Sequence, residues 1–231
     1  MGRIILIETS TALCSTAIAE DGRIVCSRES VEPRSHASKT AAFISEMLQE
    51  RGITVGDCDA VAVSSGPGSY TGLRVGSSTA KGLCFGADLP LIAVGTTDIL
   101  FRQARQEVAA SGMEIAAVVA MIDARRMEVY ARTYSPSGEP LSEVAPVVVD
   151  VDGFADLRAR GPVVFIGDGA AKCEPVLGGS GHRFIQVCPN ASAMAELAEE
   201  AFKAGRFESI AYFEPFYLKQ FVATVSKKTL F

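Results

Sequence analysis

The densest chemical feature of the chain is the run Ser64-Ser65-Gly66-Pro67-Gly68-Ser69-Tyr70-Thr71-Gly72-Leu73-Arg74-Val75-Gly76. Between a strand and a helix such a loop leaves backbone N–H groups free, and free N–H groups at a helix start attract anions. The same glycines and proline also fit a tight turn, which needs positive φ and a fixed φ. Spacing leaves both readings open. The run lacks the Gly-Lys-Ser/Thr close of a phosphate-binding P-loop, and Gly66, Gly68 and Gly72 do not follow the dinucleotide-binding spacing. A second property lies in the helix that follows. Gly72, Gly76 and Ala80 recur at i, i+4 and i+8, so one face carries almost no side chain. Glycine inside a helix costs about 1 kcal/mol relative to alanine, and a face that accepts this twice is built for close approach. What approaches is either a partner's helix or the chain's own sheet.

Other reactive groups are sparse. Glu8-Thr9-Ser10-Thr11 closes the first apolar run, and Gly167-Asp168-Gly169 closes a later one, so acids and hydroxyls stand at two strand ends. The two histidines, His36 and His182, are far apart, and Thr40 stands where an H-x-x-x-H zinc pair would need its second ligand. His36, at a helix start, reads as a surface or partner-contact residue rather than a base. No G-x-S-x-G nucleophile elbow occurs. Cys14, Cys26, Cys58, Cys84, Cys173 and Cys188 form no CxxC pair and read as free thiols of a reducing, cytoplasmic protein. Asp123-Ala124-Arg125-Arg126 reads as an exposed, salt-bridged bend. The tail, Pro215-Phe216-Tyr217-Leu218-Lys219 through Lys227-Lys228, mixes aromatics with bases. It is a closing segment packed on the body or a contact surface for a protein or an RNA-bearing complex.

The elements that must position these residues follow from periodicity. The 231 residues carry 22 Lys+Arg against 27 Asp+Glu, a net charge of −5, with 48% hydrophobic and 21% charged residues. That is a globular composition with no net basic surface for stand-alone nucleic-acid binding. No apolar run reaches the ~18–20 residues of a membrane span. Residues 3–8, 14–19 and 23–31 read as three antiparallel strands, the last two joined at Asp21-Gly22. A helix is expected over 35–51, with Ala37, Ala41, Ile44 and Leu48 as its apolar stripe and Gly52 as its stop. A strand over 59–65, a helix over 71–86 and a strand over 89–94 follow. This order is that of a ribonuclease-H-like lobe, a mixed sheet with helical crossovers. A looser copy follows the linking helix over 96–111: strands over 114–122, 127–134 and 144–151, a short helix over 155–160, a strand over 163–166 and a helix over 192–205. The expected fold is therefore α/β, with two ribonuclease-H-like lobes at 1–103 and 104–231, the duplicated architecture of the actin, heat-shock chaperone and sugar-kinase (ASKHA) superfamily. On such a fold Thr9, Ser10, Asp168 and Gly169 are the candidate nucleotide contacts.

Read in order, Ile7-Glu8-Thr9-Ser10-Thr11, the 64–76 run, Ala80-Lys81-Gly82-Leu83, Asp123-Ala124-Arg125 with Glu128-Val129-Tyr130, Gly167-Asp168-Gly169 and Pro215-Phe216-Tyr217-Leu218 closely resemble the TsaB (YeaZ) family of bacterial tRNA threonylcarbamoyladenosine biosynthesis proteins. The resemblance implies a non-catalytic scaffold subunit. Its partner would be a TsaD-like paralogue that holds the metal and transfers a threonylcarbamoyl group to the adenosine beside the tRNA anticodon. A TsaE-like ATPase joins the complex, the chain also pairs with itself, and tRNA is met only through the assembly. The resemblance places the pairing surface on the first two helices, at Ser35, His36, Ala41, Thr71, Gly72, Leu73, Arg74, Gly76, Thr79, Ala80 and Leu83. It implies no metal or cofactor of the chain's own, ATP or ADP being expected only at the partner boundary. Glu8 replaces the family's usual aspartate and Tyr70 its usual phenylalanine, the former weakening any independent Mg-ATP site. The alternatives are an ATP-dependent small-molecule kinase or ATPase of this fold, and a metallopeptidase, for which the paralogue's H-x-x-x-H pair is missing here.

Overall fold

The computed structural model describes residues 2–112, 114–179 and 181–218. The lysines at 219, 227 and 228, and with them most of the tail reading, lie outside these residues. The central strand β1 (Arg3–Glu8) is almost wholly aliphatic because both of its faces are covered. It pairs antiparallel with β2 (Cys14–Glu20), which pairs with β3 (Arg23–Ser30). On its other side it runs parallel to β4 (Ala60–Gly66), and β4 to β5 (Leu91–Gly95). The first sheet therefore has the order β3-β2-β1-β4-β5. Parallel neighbours require crossovers, supplied by α1 (His36–Arg51) and α2 (Tyr70–Ala87).

Strand alternation divides the core. Ile5, Ile7, Val61 and Val63 point to the face covered by α1 and α2, against Ile44, Met47 and Leu48. Ile4, Leu6, Ala60 and Ala62 point to the other face. That face is covered by a 3-10 turn, Ala191–Met194, and by α6 (Ala195–Lys203), through Ala191, Met194, Ala195 and Ala198. The chain thus returns to its first sheet at the end, and the amphipathic stretch expected over 192–205 is this turn plus a shorter helix.

The linking helix α3 (Thr96–Ser111) has the expected bounds and spans the position 103/104 taken as the lobe boundary. It carries Leu100, Phe101 and Ala104 onto the second sheet. That sheet has the order β10-β9-β6-β7-β8. Its strands are β6 (Ala117–Asp123), β7 (Glu128–Tyr134), β8 (Ala145–Val148), β9 (Val163–Ile166) and β10 (Arg183–Ile185). Beside α4 (Ala155–Arg160), a helix not anticipated, α5 (Ala170–Leu177), covers its far face through Cys173 and Leu177. It was hidden because it starts on the glycines of Gly167-Asp168-Gly169, ends at Gly178 and contains Pro175, all breaker signals in a sequence. No helix among the described residues is long and apolar enough to cross a membrane.

Candidate functional site

The glycine-rich loop is packed shut by the chain's own first turn. Ser69 N–H donates to the Ser10 carbonyl at 2.6 Å, and the Thr9 hydroxyl donates to the Gly72 carbonyl at 2.8 Å. A Cβ at Gly68 would overlap the Ser10 backbone, and one at Gly72 the Thr9 carbonyl oxygen. The Ser69 hydroxyl caps α2 by accepting from Gly72 N–H at 3.3 Å. The tail motif closes the same loop from outside, with Phe216 N–H donating to the Ser65 carbonyl at 2.7 Å. The glycines are thus accounted for by close backbone packing, the turn reading of the loop.

Beneath the loop lies an unusual carboxyl. Glu8 is completely buried at the end of β1, and its Oε1 accepts from Ser10 N–H at 2.6 Å. Among the described residues, its Oε2 and the Ser10 hydroxyl have no hydrogen-bond partner. Burial pushes the Glu8 carboxyl up to about 7, against the pull of the Ser10 N–H. Across the lobes, burial likewise raises Asp168 to about 6, although its Oδ1 accepts from Asp123 N–H at 2.9 Å. Of the four candidate nucleotide contacts, Thr9 and Ser10 are fully buried, Gly169 is buried beside Val129, and Asp168 is half-buried.

The small face of α2 turns inward. Gly76 meets the Thr9 side chain and Val63, Leu73 is fully buried, and Ala80 joins the core under α1 and α2. Gly72, Leu73, Gly76 and Ala80 are therefore corrected from a surface stripe to a seat for the chain's own sheet. The α1 stripe shifts too: Ala37 and Ala41 are exposed, and the buried set is Thr40, Ile44, Met47 and Leu48. Ser35 is buried and donates its hydroxyl to the Glu32 carbonyl at 2.7 Å, while His36 Nε2 lies 3.0 Å from the Thr11 carbonyl oxygen. Ser35 closes the turn before α1, and His36 fastens the helix start to the body. Thr71 and Arg74 are exposed, Arg74 donating to the Tyr70 hydroxyl at 2.9 Å with its guanidinium over the Tyr70 ring.

What the structure does bring together are Ala41, Thr79 and Leu83. With Ile44, Leu48 and Ile53 they line a groove of about 420 Å³ between α1 and α2. Beside it runs a second small stripe that the sequence reading passed over: Ser78, Gly82 and Gly86, again at i, i+4 and i+8. Among the described residues a Cβ at Gly82 or Gly86 would meet nothing within 4 Å, and Phe85, between them, is 85% exposed. A bare phenylalanine flanked by helical glycines was the available signal.

Two mixed five-stranded sheets, the first built in strand-strand-strand-helix-strand-helix-strand order, make this a two-lobed α/β protein of the ASKHA class. The family model described as TsaD, tRNA N6-adenosine threonylcarbamoyltransferase, matches residues 29–225. The chain is 31% identical to the tRNA threonylcarbamoyladenosine biosynthesis protein TsaB of Escherichia coli, over 96% of each chain. It is 29% identical to TsaB of Bacillus subtilis, over 85% of this chain and 87% of that one. Among solved structures, YeaZ from Pseudomonas aeruginosa superposes with a TM-score of 0.82 at 28% identity, covering 94% of this chain and all of that one. The chain belongs to the TsaB family.

Proposed function

We propose that the chain is a non-catalytic subunit of tRNA threonylcarbamoylation that binds and supports a TsaD-type catalytic paralogue through the outer faces of α1 and α2. The observation that carries this reading is the groove of about 420 Å³ lined by Ile44, Leu48, Ile53 and Leu83, continuous with the bare Gly82/Gly86 ridge. An aliphatic groove beside a ridge without side chains accepts a helix pair at short interaxial distance, and burying it removes apolar surface at about 25 cal/mol per Å². The same face serves a second copy of the chain when the paralogue is absent. A TsaE-type ATPase completes the assembly, and tRNA enters with the paralogue. Glu8 and Ser10, sealed under the glycine loop, support a structural role for the first turn rather than the nucleotide chemistry of a kinase.

The test is reconstitution of threonylcarbamoyl transfer from purified subunits with Gly82→Arg and Gly86→Arg. Among the described residues both positions have open space at Cβ, so both variants are expected to keep the fold. The expected result is loss of most activity, recovered by raising the variant's concentration. Full activity at equimolar subunits would overturn the assignment of this face.

A further inference from the structure

The turn joining β6 to β7 holds two consecutive arginines in a conformation arginine rarely adopts. Arg125 has φ +68° and Arg126 φ +51°, both in the left-handed region. The bond from Glu128 N–H to the Arg125 carbonyl closes a turn with Arg126 and Met127 at its centre, and positive φ is the conformation that Gly, Asn and Asp adopt most readily. Side chains with a Cβ are disfavoured there, and such a conformation persists only where the surrounding contacts hold it.

The turn is also held from beneath. The Asp123 carboxylate accepts from Arg125 N–H at 2.7 Å, and Glu128 N–H donates to the Arg125 carbonyl at 3.2 Å. Lys172, from α5, donates to the Arg126 carbonyl at 2.9 Å and the Glu128 carbonyl at 2.7 Å, and pairs with Asp123. The Asp123 carboxylate is thereby engaged by Lys172. Asp150, beyond β8, accepts from its own loop at Asp152 N–H, 3.1 Å away. Both arginines are exposed, and neither guanidinium pairs with a carboxylate among the described residues. This corrects the salt-bridged bend: the bridge belongs to Lys172 and Asp123, and the arginines stand free of it.

We propose that Arg125 and Arg126 form a phosphate-contact point for the RNA substrate, a direct contact between this chain and tRNA. A guanidinium offers a planar fork matched to phosphate oxygens, and two on one braced turn present a local positive point on a chain of net charge −5. Contacts of this kind position a nucleic acid without reading its sequence. The inference rests on the proposed role in tRNA modification for its choice of polyanion.

The test compares the wild-type chain, assembled with its TsaD-type partner, with two double variants binding a transcribed tRNA across a salt series. Arg125→Asn/Arg126→Gly removes the charge and supplies residues that tolerate positive φ, so its thermal midpoint is expected to stay at or above wild type. It is expected to bind tRNA about tenfold more weakly at 0.15 M salt, with the log–log salt slope reduced by about 1.5, the loss of two phosphate contacts. Arg125→Lys/Arg126→Lys keeps most of the affinity and the slope. Unchanged affinity and slope in the Asn/Gly variant would overturn the proposal, as would absence of salt-dependent tRNA binding by the wild-type assembly. So would lost partner binding with tRNA affinity intact, which would make the turn and the neighbouring exposed Met127 and Val148 a protein contact. Because the readout is RNA affinity, a failure of the Gly82/Gly86 face to bind the paralogue would leave this result standing.

Discussion

Two stripes of small residues run along α2 with identical spacing, and they have opposite fates. Gly72, Gly76 and Ala80 let the helix settle onto Thr9 and Val63, so that the end of β1 and the start of α2 share backbone contact. Ser78, Gly82 and Gly86 are exposed beside the α1–α2 groove, with no described residue within reach of a Cβ at either glycine. The first stripe is explained by the fold. The second is not, because exposed glycine in a helix lowers stability and no described residue makes a compensating contact. Close approach is legible from glycine spacing; its object is legible only from the third dimension.

The largest way to break this contrast is Gly72→Ala. The added methyl group would press on the Thr9 carbonyl, which is backbone and cannot step aside. A loss of about 3 kcal/mol is expected, read as a drop of roughly 6–12 °C in thermal midpoint. Gly82→Ala, the same substitution on the outer stripe, is expected to stabilise the isolated chain by about 0.5–1 kcal/mol, checked by urea unfolding. Equal effects at the two positions would erase the distinction between the stripes.

The buried first turn gives a pH signature that the outer face lacks. The Glu8 carboxyl titrates near 7 in the folded chain against an ordinary 4.5. Its folded value is raised, so the stability it preserves is fully present below pH 4.5 and is lost as pH rises through 7, on the order of 3 kcal/mol. Asp168, raised to about 6, adds loss of the same sign. Glu8→Gln cannot ionise, so the stability of this variant relative to wild type should grow between pH 5 and pH 8, measured by denaturant midpoints at each pH. A constant difference would mean that Glu8 is already charged at pH 5. The smallest effect belongs to Phe85→Ser. Its ring is 85% exposed, so the midpoint should move within about 0.5 kcal/mol while affinity for the paralogue falls several-fold.

Much of the scaffold could be read from residue order. The aliphatic run of β1, the Asp21-Gly22 hairpin and the Gly52 stop of α1 are local signals, and each marks the element it predicts. α3, α4 and β9 kept their bounds because their patterns are bounded by turn residues. α5 and β10 were missed for local reasons as well, one masked by Gly and Pro and the other only three residues long. The site was harder. Which side of α2 faces the sheet depends on pairing Thr9 with Gly72, 63 positions apart, and the positive φ values of Arg125 and Arg126 contradict what their residue types prefer. The return of α6 to the first sheet is a tertiary choice that its own amphipathicity does not specify.

The central claim is that the outer face of the first two helices, and not the inward glycine stripe, is where the paralogue binds. Calorimetric titration of the TsaD-type paralogue with the Gly82→Arg/Gly86→Arg chain tests it most directly, with folding verified by circular dichroism. A native spectrum, an unchanged or higher thermal midpoint and an affinity at least tenfold below wild type are expected. A native chain binding with wild-type affinity would contradict it.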